Sequence, residues 1–297
     1  MDYSQKDLIK SKKILTSLLF SFDAFCKKHD LNYYACAGTC LGAIRHKGFI
    51  PWDDDIDVVM PRRDYEKMLS LKPELQNSNY TIYDISDKGY YLTFAKFCET
   101  KTTLVERKGH PFVIGLFIDI FPLDEANDSQ ECRKLFKLKN QFASRYFLCI
   151  QKNLFNEFLK APSIRSKFRI LFYLAFGKLL KKYFFARYNE IEDRIKKQTG
   201  DYVMFYGGNY GFDKELHDKQ WFGQGLYVPF ENGMVKVPSD YKSYLKKLYN
   251  DYMVLPPPEK RIIHHYHYFF DFEKRWKIED IMKLDLEEQE DINFKYE

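Results

Sequence analysis

Between residues 5 and 29, Leu8, Ile9, Leu15, Leu18, Leu19, Phe22 and Phe25 recur at helical spacing with Lys and Asp between them, which predicts an amphipathic opening helix. Residues 32–37 read as a strand ended by Gly38. Thr39 is placed to cap a short helix running to about His46, and Gly48 to stop it. Short apolar runs then predict strands over 56–60, 80–85, 90–97, 103–106 and 114–121, the last ended by Pro122, with a helix over 64–71. From about Glu131 to Lys197 the period is helical and glycine nearly vanishes. Asn232–Gly233 lies between two apolar runs within 226–237 and predicts a hairpin. Ser239 is placed to cap a helix over 240–251, and Pro256, Pro257 and Pro258 break the chain before a last helical region. The acidic tail after Glu279 reads as a solvated helix or frayed end.

This succession predicts an α/β (α+β) protein in three stretches. Residues 1–125 form a core of strands and helices, 126–200 a helical insertion, and 201–297 a C-terminal part whose hairpin and helices complete the first.

With 297 residues, 45% hydrophobic and 18% aromatic, the chain can bury a large core, which excludes a disordered protein. A net charge of +5 is too small to call for nucleic acid, and no nucleic-acid partner is expected. The six cysteines are scattered without a C-x-x-C pair and read as reduced, buried thiols; a zinc site on Cys36 and Cys40 would need partners from elsewhere. The first residues lack the order of a secretory signal, and no apolar run reaches the roughly 18 residues of a membrane span. A cytoplasmic location is therefore expected.

The chemistry concentrates in residues 38–57, GTCLGAIRHKGFIPWDDDID. A glycine turn followed by a helix N-terminus lets backbone N–H groups approach a phosphate, and Thr39 adds a hydroxyl. Asp55 and Asp57 are one residue apart on a predicted strand, so both leave the same face and can share metal ions, while Ile56 and Val58 face the core. Asp119, within FIDIF, places an ion among apolar neighbours, where a metal or a cation must compensate it. Converging carboxylates suit Mg²⁺ or Mn²⁺. Asp53, Asp55 and Asp57 also match the first ligands of an EF-hand, but Val58 stands where that loop needs glycine. A plain solvated acidic turn is the other alternative, and the buried-looking run 56–60 opposes it.

The run GTCLGAIRHKGFIPWDDDIDVVMPRRDYEKM resembles the signature of the LicD family, the phosphocholine transferases related to fukutin-type ribitol-phosphate transferases. FAKF, GLFIDIFPLD and LYNDYMVLPPPEKR resemble further motifs of that family in the same order. The resemblance implies a nucleotidyltransferase-like fold, a mixed sheet with flanking helices. It puts Gly38 and Thr39 on a phosphate-binding turn, Asp55 and Asp57 on paired metal ligands and Asp119 on the third carboxylate. Arg45, His46 and Lys47 fall on a basic stretch in which Arg45 could hold a diphosphate in a fork. Lys96 falls on a family basic position and could neutralise the leaving group; as an isolated strand lysine it would otherwise lie at the surface. Trp52 beside the carboxylates suggests one wall of a cage for a quaternary ammonium.

The implied reaction is metal-dependent transfer of a phospho-alcohol, phosphocholine from CDP-choline foremost, to a hydroxyl of a cell-surface glycan or teichoic-acid precursor, with a lipid-linked acceptor among the options. Two rivals stay open: a nucleotidyltransferase acting on a small molecule, and a non-catalytic scaffold at a membrane surface. His264, His265 and His267 read as structural or surface residues, since neighbouring histidines point apart on any regular element. Between Lys160 and Arg187 stand eight Lys or Arg and no Asp or Glu, interleaved with Phe, Leu and Ile. Such a stretch fits either an anionic membrane at the inner face of the cell or a helix packed on the core.

Overall fold

A computed structural model describes residues 3–262, 267–284 and 286 of the chain. The opening period becomes helix α1 (Gln5–Lys28), begun by a capping box between Ser4 and Asp7. Its apolar stripe, Leu15, Leu18, Leu19, Phe22 and Cys26, is buried in the main core. There follow β1 (Tyr34–Ala35), α2 (Ala37–His46), β2 (Asp57–Pro61), α3 (Arg62–Ser70), β3 (Tyr80–Tyr83), β4 (Ala95–Glu99), β5 (Thr103–Val105) and β6 (Phe117–Ala126). The helical stretch resolves into α4 (Gln130–Ile150), α5 (Leu154–Lys160) and α6 (Ile164–Ile195). The remainder holds β7 (Tyr202–Met204), α7 (Phe212–Glu215), β8 (His217–Asp218), β9 (Leu226–Phe230), β10 (Gly233–Val237), α8 (Tyr241–Tyr249), β11 (Phe269–Asp271) and α9 (Ile278–Ile281).

Among the described residues, seven strands form one mixed sheet in the order β1-β2-β6-β4-β3, with β7 on the far end of β6 and β8 beyond it. Only β2 and β6 are parallel in it; the other pairs are antiparallel. The expected mixed sheet with flanking helices is therefore present, in a nucleotidyltransferase-like arrangement.

Several local expectations are corrected. The strand over 32–37 shrinks to two residues because Ala37 takes a left-handed φ of 42° and turns the chain into α2. Thr39 lies inside that helix, and the N-cap is Cys36, which offers no side-chain cap. Lys47, at φ 58°, ends α2 one residue before Gly48. The strand expected over 90–97 starts only at Ala95, because Tyr90 closes a turn onto the Asp87 carbonyl. β6 runs straight through Pro122. The Asp119 N–H donates to Ile56, so the even-numbered N–H groups point to the opposite side, where β4 pairs no further than Ile120 and β7 begins at Asp124. A missing donor in that gap costs no ladder bond. The hairpin forms, but Gly233 already pairs with Phe230, so the turn is Glu231–Asn232, with Glu231 at φ 53°. Asp240, not Ser239, caps α8, because its carboxylate accepts from the Ser243 N–H; the Ser239 hydroxyl donates to Phe222.

α4 and α6 pack into a second apolar cluster with Met204 and Tyr206. A chain of buried ion pairs joins it to the sheet. Arg62 of α3 grips Asp124 of β6 with two bonds of 2.6 and 2.7 Å and reaches Glu192 of α6, which meets Lys139 of α4 at 2.6 Å. His264, His265 and most of the acidic tail lie outside the described residues. His267 is buried beside the Tyr3 ring, with Nε2 3.9 Å from Asp54.

Candidate active site

The loop that delivers the aspartates is fixed from both sides. Lys12 of α1 donates to the carbonyls of Ile50 and Pro51 at 3.1 and 2.9 Å. Glu231, at the hairpin turn, accepts from the Phe49 N–H, and its own N–H donates to Lys47. Gly48 is needed here because a Cβ would lie 2.2 Å from the Glu231 carboxylate. From residue 53 to 58 exposure then alternates strictly: Asp53, Asp55 and Asp57 are half-buried, whereas Asp54, Ile56 and Val58 are buried. The odd-numbered aspartates thus share one face.

Strand register sets the rest. Asp57 on β2 stands opposite Asp119 on β6, and Asp119 stands opposite Lys96 on β4, so the three occupy one row across three adjacent strands. Lys96 is 1% exposed and donates to Asp119 at 2.6 Å and to Glu106 at 3.2 Å; Glu106 also accepts from the Tyr91 hydroxyl. The surface alternative for Lys96 is thereby corrected. Burial works against the ammonium, but Asp119 and Glu106 outweigh it and hold the Lys96 pKa above its ordinary range. Two carboxylates share this one cation. Burial pushes the Asp119 carboxyl up to about 7 against the pull of Lys96, while Lys96 and Tyr91 overcome burial at Glu106 and hold it below the usual range.

Two cavities meet at the aspartates. The deeper one, about 320 Å³, is lined by Asp55, Asp57 and Asp119 together with Phe121, Phe205, Gly208, Glu215 and Tyr244. The other is a groove of about 780 Å³ along Gly38, Arg45, Trp52, Asp53, Tyr249, Tyr252 and Lys260. Ala37, Asp55, Asp57 and Tyr210 line both. The left-handed Ala37 therefore sits at the junction, its N–H donating to the Tyr244 hydroxyl.

The sequence-predicted residues distribute unevenly over this site. Gly38 lines the groove, where its lack of a side chain admits Asp53: a Cβ would stand 2.7 Å from the Asp53 carboxylate. Thr39 is buried and lines neither cavity; its hydroxyl accepts from the Asp57 N–H at 2.8 Å and so positions that aspartate. Arg45 lines the groove and donates to the Tyr252 and Val254 carbonyls, tying down the segment before the three prolines. His46 packs edge-on to Trp52, and burial, with Arg45 and Lys12 beside it, holds its pKa below the ordinary value. Lys47 is exposed on the outside of the turn, so Arg45, His46 and Lys47 do not converge. Trp52 is in the groove wall, but Arg261 already lies 5.6 Å from its ring centre.

Sequence reasoning missed Glu106 and Glu215. Burial raises the Glu215 carboxyl to about 7, while it accepts from the Tyr210 N–H; Gly208 presses on it so closely that a Cβ would overlap its oxygens. The pair Gly207–Gly208 was the available signal for that close approach.

Carboxylate oxygens of Asp53, Asp54 and Asp55 can come within 4.8 Å of one another, so an acidic cluster able to hold a metal ion is present beside the row. Its all-oxygen donor set fits a hard divalent cation. The cysteines give no such site among the described residues: burial raises the Cys36 and Cys40 thiols well above their ordinary range, against thiolate formation.

The LicD/FKTN/FKRP nucleotidyltransferase-domain family matches residues 30–162. The chain is 31% identical over 255 residues to the lipopolysaccharide cholinephosphotransferase LicD of Haemophilus influenzae, covering 84% of this chain and 92% of that protein. Shorter stretches resemble uncharacterized proteins of Rickettsia prowazekii, 32% identical over 26% of this chain and 30% of that protein, and of Rickettsia typhi, 33% identical over 25% of each. With the aspartate row, the mixed sheet and these likenesses in agreement, the chain belongs to the LicD/FKTN/FKRP family.

Proposed function

We propose that this protein transfers a phospho-alcohol, phosphocholine foremost, from a cytidine-diphosphate-linked donor to a hydroxyl group of a glycan. The observation that carries the reading is the opening of Asp55, Asp57 and Asp119 into one cavity, in a chain similar over most of its length to a cholinephosphotransferase. Asp55 and Asp57, with Asp119 beside them, would hold Mg²⁺ or Mn²⁺, which when bound neutralises a diphosphate and acidifies a hydroxyl.

The chain's own residues do the remainder. The acceptor oxygen forms a bond to the distal phosphorus while the bond from that phosphorus to the bridging oxygen breaks, and CMP leaves. The hydroxyl proton passes to Asp119, whose carboxylate stands opposite Asp57 in the row and is held in place by Lys96. The groove-wall rings of Tyr249 and Tyr252 suit a quaternary ammonium, which at Trp52 would have to displace the Arg261 guanidinium.

Incubation with Mg²⁺, CDP-choline and a candidate glycan should give CMP and a product heavier by phosphocholine. A product bearing the cytidylyl group, with free phosphocholine accumulating, would mean attack at the proximal phosphorus and overturn the reaction assigned here. Thermal protection by CDP-choline against CDP-ribitol distinguishes the alcohols.

A further inference from the structure

Helix α6 carries two apolar stripes, and only one is covered. Ile170, Tyr173, Gly177 and Phe184 are buried in the cluster shared with α4. Phe155 and Leu159 of α5 and Ile164, Phe168 and Leu179 of α6 are instead 61–77% exposed. At about 100° per residue, Ile164, Phe168 and Leu179 fall within an arc of roughly 60°, opposite the buried stripe. Contiguous large apolar side chains of this kind mark an interaction surface.

Charge identifies the occupant. Lys160, Lys167, Lys178 and Lys182 are exposed around this face, and the chain has no Asp or Glu from residue 158 to 189. A second copy joined by a two-fold axis would set this cationic face against itself. Crossing a bilayer is not open to it, since no described helix is long and apolar enough. A surface that offers acyl chains to Phe and Leu, and phosphates just above them to lysines whose stems can bend outward, satisfies both parts.

We infer that the α5–α6 face docks on the surface of an anionic lipid bilayer, with Phe155, Leu159, Ile164, Phe168 and Leu179 entering the boundary between headgroups and acyl chains. This does not depend on the transfer reaction, and its test reads no activity. The full-length protein is sedimented with phosphatidylcholine vesicles with and without about 30% phosphatidylglycerol, across a salt series. Binding should require the anionic lipid and fall steeply as salt rises. Reversing three charges in K167E/K178E/K182E should weaken it by roughly a hundredfold or more. F168S and L179S should weaken it as well, with charge and thermal midpoint unchanged. Absence of binding to anionic vesicles would overturn the inference. So would binding that ignores F168S and L179S, which would be electrostatic adsorption without insertion. A dimer in light scattering that L179S dissolves, without vesicle binding, would assign the face to a second copy instead.

Discussion

Around β2, β4 and β6 the protein buries ionisable groups among apolar ones, whereas along α5 and α6 it leaves apolar groups in water. Lys96 is enclosed, its ammonium 3.3 Å from the Phe117 ring centre, and the two carboxylates it joins, Asp119 and Glu106, are mostly withdrawn from water. Ile164 and Leu179, by contrast, are 76% and 77% exposed. Each region departs from the ordinary inside-outside rule in the opposite direction. Stability alone favours neither departure, since buried ions lose hydration and exposed leucines gain no burial. The joint between the two regions, Arg62–Asp124 and Lys139–Glu192, is by contrast fully matched in charge.

The sharpest way to break this contrast is Lys96→Met. It leaves the half-buried Asp119 and Glu106 without their shared cation, and the expected loss is about 3 kcal/mol of unfolding free energy, read by denaturant titration. A variant as stable as the parent would mean that the two carboxylates are not held ionised by Lys96.

Next comes the aspartate face. Asp55→Asn or Asp57→Asn should lower turnover by at least roughly 10²-fold with the fold intact, the thermal midpoint of the metal-free chain staying unchanged or rising as a carboxylate leaves the crowded acidic face. Asp53→Asn separates the two acidic groupings: a loss as large as that of Asp57→Asn would place the ion in the 53–55 cluster, not between Asp55 and Asp57.

A smaller effect concerns pH. The Glu215 carboxyl lies at about 7 in the folded chain against 4.5 ordinarily, so the folded state binds more protons in that interval. Stability therefore falls as pH rises from about 4.5 to 7 and is constant, for this group, above. Glu215→Gln keeps the acceptor for the Tyr210 N–H and should flatten that slope, making the variant more stable above pH 7 by up to about 3 kcal/mol. Parallel stability curves for the two proteins would refute it. Smallest of all, Leu179→Ser should change stability by no more than about 0.5 kcal/mol, since its side chain touches little. A loss of 2 kcal/mol or more, the mark of a buried leucine, would show the outer face to be covered.

Much of this was legible locally. The spacing in α1, the short strands, the helical stretch after β6 and the alternation that puts Asp55 and Asp57 on one face all follow from the period of neighbouring residues. Caps and turns were off by one to three residues, at Cys36, Lys47, Glu231 and Asp240, and distant contacts account for part of this: Ser239 is drawn to Phe222, and Lys47 and Phe49 to Glu231. Glu231, for instance, turns where it does while clamping the loop at Phe49.

The sequence by itself determined the elements, the acidic segment at 53–57 and, through its motifs, the family. Only the tertiary structure decided that Asp57, Asp119 and Lys96 stand in one row, that Thr39 serves Asp57 and not the cavity, that Glu106 shares the Lys96 cation and Glu215 is buried, and that the second stripe of α6 is bare. The physical reason is range. Periodicity is written in residues three or four apart, whereas strand register, the pairing of buried charges and the covering of a helix face depend on which distant segments become neighbours, and no single segment encodes that.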